Sequence, residues 1–277
     1  MVVCGSNGFT RLSLLPSQEQ VSIESMNQPH FSVSPNPDVP FRVVREDKHF
    51  LVVFKPAGVV TQPGIKHEHD ALLNGLFSKY GRRLQNLGKA RDYGLLHRLD
   101  KQTSGLLLVG LTPEGYDGLR LQFGDREIEK TYLALVHSAP QPPGGLVDFP
   151  ISEHKVKGRK RAALGLRKGA KEAITKYSIL ARSGRFSLVK SHPKTGRLHQ
   201  IRVHMASLGC PIVGDSDYGK KEPIDRRLGP NAHCLHAAEL SFRHPVKGRR
   251  ITVTEGMPDF MKGIASRVAI ECPKKWQ

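Results

Sequence analysis

The sequence predicts an α+β fold built on a mostly antiparallel, mixed β-sheet with flanking helices and loops. Short β-branched or alternating runs outnumber the helical segments, and the two kinds of element do not alternate along the chain as they do in a parallel α/β fold. The chain also contains no internal repeat. We expect strands at Phe41–Val44, Phe50–Phe54, Leu106–Val109, Tyr132–Val136, Ala173–Leu180, Phe186–Val189 and Arg250–Thr254.

Three segments have the apolar spacing of three and four residues that is typical of amphipathic helices. They are Asp70–Tyr80, Pro113–Phe123 and Arg197–Leu208. The second has the clearest start, because Thr112 can cap it and Pro113 suits the first helical position. The helices are too few to cover both faces of a sheet, which agrees with the α+β class.

The chain divides into an irregular head and one globular body. Residues 1–38 are rich in Ser, Asn, Pro and Gln and end in the breaker-dense Ser34–Pro37, so we expect a disordered leader. Its first eighteen residues contain one Arg and no acid, which resembles an organelle transit peptide only weakly, and plain disorder fits equally well. Residues 39–277 form the predicted functional domain.

The cysteines and the apolar runs indicate in which compartments the protein can be located. The four cysteines show no C-x-x-C spacing, which favours reduced thiols in an intracellular protein. The longest apolar run, Gly105–Leu111, is far shorter than a bilayer span. We therefore expect a soluble monomer, in the cytoplasm or in a chloroplast or mitochondrion.

Positive charge dominates the composition, with 43 Lys and Arg against 25 Asp and Glu and a formal net charge of +18. Residues 1–40 carry −2, so residues 41–277 carry +20. Eight cations and no acid lie between Lys155 and Lys171, and a smaller basic cluster includes Arg82 and Arg83. This density indicates a polyanionic partner, with RNA or DNA favoured over an acidic membrane surface. A solvated basic loop is the alternative for the main run.

Several common catalytic patterns do not fit the sequence. Gly81–Lys89 has the wrong glycine spacing for a P-loop and lacks Ser or Thr after the lysine. The histidine pairs His233/His236 and His199/His204 have no acidic cluster to complete a metal site. No G-x-S-x-G segment supplies an acyl-transfer nucleophile. We therefore expect neither a metal nor a nucleotide cofactor.

Two constellations remain as candidate sites. Asp100 lies in a turn between two apolar runs, where its carboxylate could simply cap the turn. In a strongly basic chain, however, a carboxylate at the end of a buried strand suits developing positive charge, such as the sugar carbon of a breaking glycosidic bond. The second constellation is the start of the predicted helix, where Arg197, His199 and Arg202 suit phosphate or carboxylate contact, although a solvated helix face is the alternative.

These residues carry a resemblance to a known family. His97–Leu108 (HRLDKQTSGLLL) resembles the catalytic motif of the RluA-type RNA pseudouridine synthases, and Glu129–Val136 (EKTYLALV) resembles their second motif. Gly196–His204 (GRLHQIRVH), followed by Gly209–Asp215 (GCPIVGD), is similar to the third. Phe54–Val59 and Leu235–Pro245 also match, so the resemblance spans about residues 41–256.

The resemblance implies the pseudouridine synthase fold and the isomerisation of uridine in ribosomal or transfer RNA, with no cofactor or metal. Asp100 is then the catalytic carboxylate, Tyr132 stacks on the target base and takes part in removal of the C5 proton, and Arg202 pairs with Asp100. Arg98 fills the gap left by the flipped uridine or holds the displaced strand. The remaining expected RNA contacts are Arg82, Arg83, Lys157, Arg159, Lys160, Arg161, Arg197 and His199.

The departures from the family concern substrate choice. An N-terminal module of the S4 type does not fit in about 40 acidic residues, so we expect a bare catalytic domain. Gln102 replaces a residue that is often acidic in the family. Two other classes of protein remain as alternatives: a non-catalytic RNA-binding protein on the same scaffold, and a structural protein that binds DNA or membranes.

Overall fold

The computed structural model describes residues 31–156, 158–165, 169–219, 222–228 and 232–277. Most of the predicted leader and one predicted RNA contact, Lys157, lie outside the described residues, as does the side chain of Arg159. No helix in the described part of the chain has the length and apolar character needed to cross a bilayer.

Eleven strands are present among the described residues. They are β1 (Arg42–Glu46), β2 (Phe50–Lys55), β3 (Ser104–Gly110), β4 (Glu129–His137), β5 (Gly144–Asp148), β6 (Ile151–Val156), β7 (Arg159–Leu164), β8 (Ile174–Ser183), β9 (Phe186–Pro193), β10 (Leu235–Arg243) and β11 (Arg250–Thr254). Nine form one sheet in the order β1-β2-β3-β10-β4-β9-β8-β5, with β11 paired to β10. Only the pairing of β3 with β10 is parallel. The predicted class is therefore confirmed, and each predicted strand overlaps an observed one.

The four described helices are α1 (Leu72–Leu87), α2 (Pro113–Gly124), α3 (Gln200–Ser207) and α4 (Asp259–Arg267). Thr112 caps α2 as predicted, with its side chain accepting the backbone N–H of Gly115. The predicted end of α1 at Tyr80 is wrong, because the chain only kinks there and its buried face continues to Leu87. The predicted start of α3 at Arg197 is also wrong, because His199 has a φ of 51° and cannot belong to the helix.

The first part of the main basic run lies in a separate hairpin, made of β6 and β7, which is a two-stranded antiparallel sheet. Ile151 and Ala162 on this hairpin form a small buried cluster with Val203 of α3. The hairpin therefore contacts the body through this cluster and through the paired backbone groups of Ile151 and Lys171, and it does not extend the main sheet. The alternative of a solvated basic loop therefore does not describe residues 159–164, which form β7.

Residues 31–38, at the end of the predicted leader, contact the globular body. The ring of Phe31 lies edge-on to that of Phe77 on α1, with 5.7 Å between centroids. The backbone N–H of Ser32 donates to Gln85 Oε1 at 2.9 Å. These contacts bury part of an apolar side chain that the sequence analysis assigned to the leader.

The parallel contact between β3 and β10 depends on Gly105. This residue has a φ of 122°, and a Cβ at this position would lie 2.3 Å from the carbonyl oxygen of Ala237 on β10. All of β3 is buried. Only glycine allows the two strands to approach this closely in this backbone conformation. The segment that leads into β3 contains Asp100, so this packing also positions the candidate site.

We expect the substitution Gly105→Ala to lower the free energy of unfolding by at least about 2 kcal/mol, because it adds both backbone strain and a steric clash. Gly263→Ala on the exposed side of α4 is the matched control, since a Cβ there meets no atom within 4 Å. That control should raise the free energy by about 0.5–1 kcal/mol. Urea unfolding measures both. Equal stability of Gly105→Ala and the parent protein would contradict the account of the β3–β10 contact.

Candidate active site

A cleft of about 690 Å³ opens where the loop ahead of β3, strand β4 and the start of α3 meet. Among the described residues that line it, eight cations face two carboxylates, those of Asp100 and Glu153. The cations are Arg98, Arg120, Arg126, Lys130, Lys160, Lys194, Arg197 and Arg202. Such a concentration of one charge in a concave site produces a field that attracts a phosphate backbone.

The loop that carries Asp100 is fixed on both sides of the carboxylate. Thr61 Oγ1 donates to the carbonyl oxygen of Leu99 at 2.8 Å and accepts its N–H at 3.1 Å. The fully buried Lys55 donates from Nζ to the carbonyl oxygen of Lys101 at 3.2 Å. The N–H of Thr103 closes the turn onto the carbonyl oxygen of Asp100 at 3.1 Å. The carboxylate therefore projects from a backbone that is held in place before any ligand binds.

Arg202 binds three carboxylates with one buried guanidinium. Nε and Nη2 form a bidentate pair with Asp215 at 2.7 and 2.9 Å. Nη2 also donates to Asp217 Oδ2 at 2.9 Å, and Nη1 donates to Asp100 Oδ2 at 3.0 Å. Only 3% of the Arg202 side chain is exposed, against 19% for Asp100. The guanidinium fork thus fixes the orientation of Asp100 relative to α3.

Burial and charge act in opposite directions on the Asp100 carboxyl. Burial raises its pKa, but interactions with His199, Arg202 and His233 outweigh that effect and hold the pKa below its ordinary value of 3.8. At neutral pH both histidines are uncharged, because burial lowers the pKa of His199 and brings that of His233 to about 4. Arg202 is therefore the cation that keeps Asp100 ionised under those conditions.

The structure brings several predicted site residues to the cleft. Tyr132 on β4 lines it, and burial together with the nearby Asp100 charge raises the pKa of the phenol. His199 Nε2 lies 3.8 Å from Asp100 Oδ2. Arg98 is exposed on the loop beside Asp100, and Arg197 lines the wall while its Nε donates to the carbonyl oxygen of Glu172 at 2.8 Å.

The other predicted RNA contacts lie in different surroundings. Lys160 on β7 lines the cleft and is 68% exposed. Arg161 is turned inward instead and pairs with Asp217 at 2.6 Å. Arg82 and Arg83 are on α1 and do not line the cleft; Arg83 donates to the carbonyl oxygen of Lys48. The sequence could not distinguish these cations because charge alone does not show what each one contacts.

Sequence reasoning missed several residues of the site. Asp215 and Asp217 share Arg202 with Asp100, while the buried Lys55 and Thr61 hold the loop. Asp215 and Lys55 both lie inside segments that resemble family motifs. Those segments were the available signal, but the sequence assigned no role to either residue.

The chain is similar in sequence to known proteins. A sequence profile described as RNA pseudouridylate synthase matches residues 49–207. The chain is 37% identical over 229 residues to a ribosomal large subunit pseudouridine synthase D of Zymomonas mobilis, which covers 81% of this chain and 72% of that protein. A protein of the same name from Xanthomonas campestris is 35% identical over 257 residues, which covers 90% of this chain and 75% of that protein.

The fold is shared with solved structures. The structure of human RNA pseudouridylate synthase domain containing 4 matches with a TM-score of 0.64 at 25% identity, and the match covers 84% of this chain and 95% of that one. The matched profile spans more than half of the chain and includes Asp100, Tyr132 and Arg202. Sequence and fold agree, so this chain belongs to the RNA pseudouridylate synthase family, the isomerases that convert uridine in RNA to pseudouridine.

Proposed function

We propose that Asp100 is the catalytic carboxylate of this isomerisation and that the substrate is ribosomal RNA. The ion pair between Asp100 and Arg202 supports the catalytic role of Asp100, because it keeps an ionised carboxylate on the wall of a cationic cleft. The names of the Zymomonas and Xanthomonas relatives, both ribosomal large subunit pseudouridine synthases, support the ribosomal substrate.

The two carboxylate oxygens of Asp100 have different roles in this proposal. Arg202 and His199 both approach Oδ2, so we assign Oδ1 to the ribose. Oδ1 either attacks C1′ as the bond to N1 breaks or removes a proton from C2′ in an elimination. The uracil then turns and C5 bonds to C1′. In the first route the Oδ1–C1′ bond breaks as this bond forms, and in the second the proton returns from Asp100 to C2′. The proton that C5 then loses is balanced by the one that N1 gains. The net reaction is an isomerisation, so it needs no second substrate.

Tyr132 has a binding role in this proposal. Burial and the Asp100 charge both raise the pKa of its hydroxyl, so the phenol is neutral at physiological pH and a phenolate base is disfavoured. Its ring lines the cleft that contains Asp100, where it offers a flat apolar face to the uracil. We therefore propose stacking as its main contribution, with its hydroxyl available to guide the C5 proton.

Chemistry at C1′ requires the uridine to leave its stack. Arg98 is exposed and two residues from Asp100, so we propose that it occupies the vacated position or holds the displaced strand. Arg197 and Lys160 line the same cleft and are proposed to contact the backbone phosphates. Arg161 is excluded from this set because it is turned inward onto Asp217 at 2.6 Å. Among the described residues, Lys160 has only the exposed Glu153 as a partner, at 3.6 Å, and stays accessible to a phosphate.

The test of Asp100 compares it with the other carboxylate that lines the cleft. We expect cells without the gene to lack one pseudouridine in large-subunit ribosomal RNA. The parent gene and Glu153→Gln should restore it, whereas Asp100→Asn should not. With a transcript containing that site, Asp100→Asn should lower the rate by roughly 10³-fold or more, while RNA affinity stays within a few fold because the cations remain.

Activity in Asp100→Asn comparable to that of Glu153→Gln would contradict the catalytic assignment. Loss of a pseudouridine only in transfer RNA would leave the catalytic assignment standing and overturn the ribosomal substrate. Unchanged pseudouridine in all RNA, with RNA binding intact, would favour a non-catalytic RNA-binding role.

Two variants, Lys160→Ala and Arg82→Ala, test the path of the RNA. Lys160 lines the cleft and Arg82 does not, so Lys160→Ala should weaken binding of a short oligouridylate and make the salt dependence less steep by about 0.7 in logarithmic slope. Arg82→Ala should leave both unchanged. Fluorescence anisotropy over a salt series measures the slopes, and equal losses in the two variants would contradict the proposed path.

A further inference from the structure

The β6–β7 hairpin is tied to the catalytic cluster by Asp217. Arg161 on β7 donates to Asp217 Oδ1 at 2.6 Å and, through its other terminal nitrogen, to the Asp217 carbonyl oxygen at 3.0 Å. The second carboxylate oxygen of Asp217 accepts from Arg202 at 2.9 Å. One side chain therefore bridges the hairpin to the guanidinium that holds Asp100.

The next residue, Tyr218, forms a second bridge of the same kind. Its hydroxyl accepts the backbone N–H of Ala162 on β7 at 2.9 Å and lies 2.8 Å from His199 Nδ1. Because burial lowers the pKa of His199, the imidazole is neutral and Nδ1 accepts the hydroxyl proton. The Nε2–H then faces Asp100 Oδ2. The Tyr218 ring also lies under Arg202, 5.1 Å from centroid to Cζ.

The two bridges converge on one atom. They leave consecutive residues of β7, pass through consecutive residues of the loop after α3, and reach Arg202 and His199, both of which approach Asp100 Oδ2. The hairpin forms no strand pairing with the main sheet, so its position is fixed by these bonds, by the backbone pairing of Ile151 with Lys171 and by the cluster around Val203. A shift of the hairpin is therefore transmitted to the groups that orient the carboxylate.

We propose that Asp217 and Tyr218 are positioning residues that couple RNA contact on the β6–β7 hairpin to the orientation of Asp100. The inference rests on the proposed function, because it takes Lys160 as an RNA contact and Asp100 as the reacting group. Phosphates bound at Lys160 hold the hairpin, and Asp217 and Tyr218 then hold Arg202 and His199 in the reactive arrangement. When a bound RNA makes no contact with the hairpin, Asp100 is less well oriented toward the ribose.

Single-turnover kinetics test this coupling, because they separate the rate of the bound complex from RNA affinity. The substrate is a transcript that contains the uridine identified by mapping. Tyr218→Phe removes both hydroxyl contacts but keeps the ring, so it should slow the bound-complex rate about five- to tenfold with affinity within about twofold. Tyr177→Phe is the matched control: its hydroxyl donates to the Pro142 carbonyl oxygen outside the cleft, and it should change neither quantity.

The decisive comparison adds Lys160→Ala to each background. In the parent protein this change should weaken affinity and also slow the bound-complex rate by at least about twofold. In the Tyr218→Phe background, Lys160→Ala should slow the bound-complex rate less than it does in the parent protein. In the double variant Tyr218→Phe/Asp217→Asn, Lys160→Ala should not change that rate. The loss of RNA affinity caused by Lys160→Ala should be the same in every background. Urea unfolding confirms that each variant is folded, and Asp217→Asn alone replaces Tyr218→Phe if the latter is unstable.

Two results would overturn the inference. One is a Lys160→Ala variant that loses affinity with an unchanged rate, and the other is an equal effect of Lys160→Ala on rate in every background. Failure of the proposed function looks different, because the parent protein would then form no pseudouridine in the transcript or Asp100→Asn would remain active.

Discussion

One buried guanidinium determines the arrangement of this site. Arg202 donates four of its N–H groups to three carboxylates, and Asp215 among them is fully buried. A buried carboxylate without a partner is strongly unfavourable, so removing Arg202 would impose that penalty on Asp215 and on the largely buried Asp100. Arg161 supplies a second cation to Asp217, which leaves Arg202 free to orient Asp100. The ion pairs that balance the charge of these carboxylates therefore also fix the orientation of Asp100.

This constraint explains how an acid can act inside a basic cleft. The eight cations attract a phosphate backbone, and most of them are spread along the walls. Arg202 is different because it is dehydrated and rigid, so its charge acts on Asp100 at short range. In the proposed function the cleft separates two tasks, with exposed cations for binding RNA and one buried cation for keeping Asp100 ionised. The hairpin belongs to both, since Lys160 faces the cleft while Arg161 reaches the buried cluster.

Local patterns predicted most of the fold, and long-range contacts account for what they missed. Short apolar runs located β3 and β4, and a cap located α2, because those signals lie within a few residues. The β6–β7 hairpin was missed because consecutive cations hide its alternation. Asp100 and Arg202 were predicted to pair, and they do. The sharing of Arg202 with Asp215 and Asp217 could not be predicted, since no local pattern specifies which acids a folded chain brings to one arginine.

We infer that Arg202 keeps Asp100 ionised at the mouth of the cleft. A carbon-13 NMR titration of the Asp100 carboxyl, assigned by its loss in Asp100→Asn, measures this directly in the intact protein. We expect a midpoint below the ordinary aspartate value of 3.8, so that the carboxyl is fully ionised at neutral pH. A midpoint above 3.8 would mean that burial outweighs the positive charges of His199, Arg202 and His233, and it would contradict this arrangement.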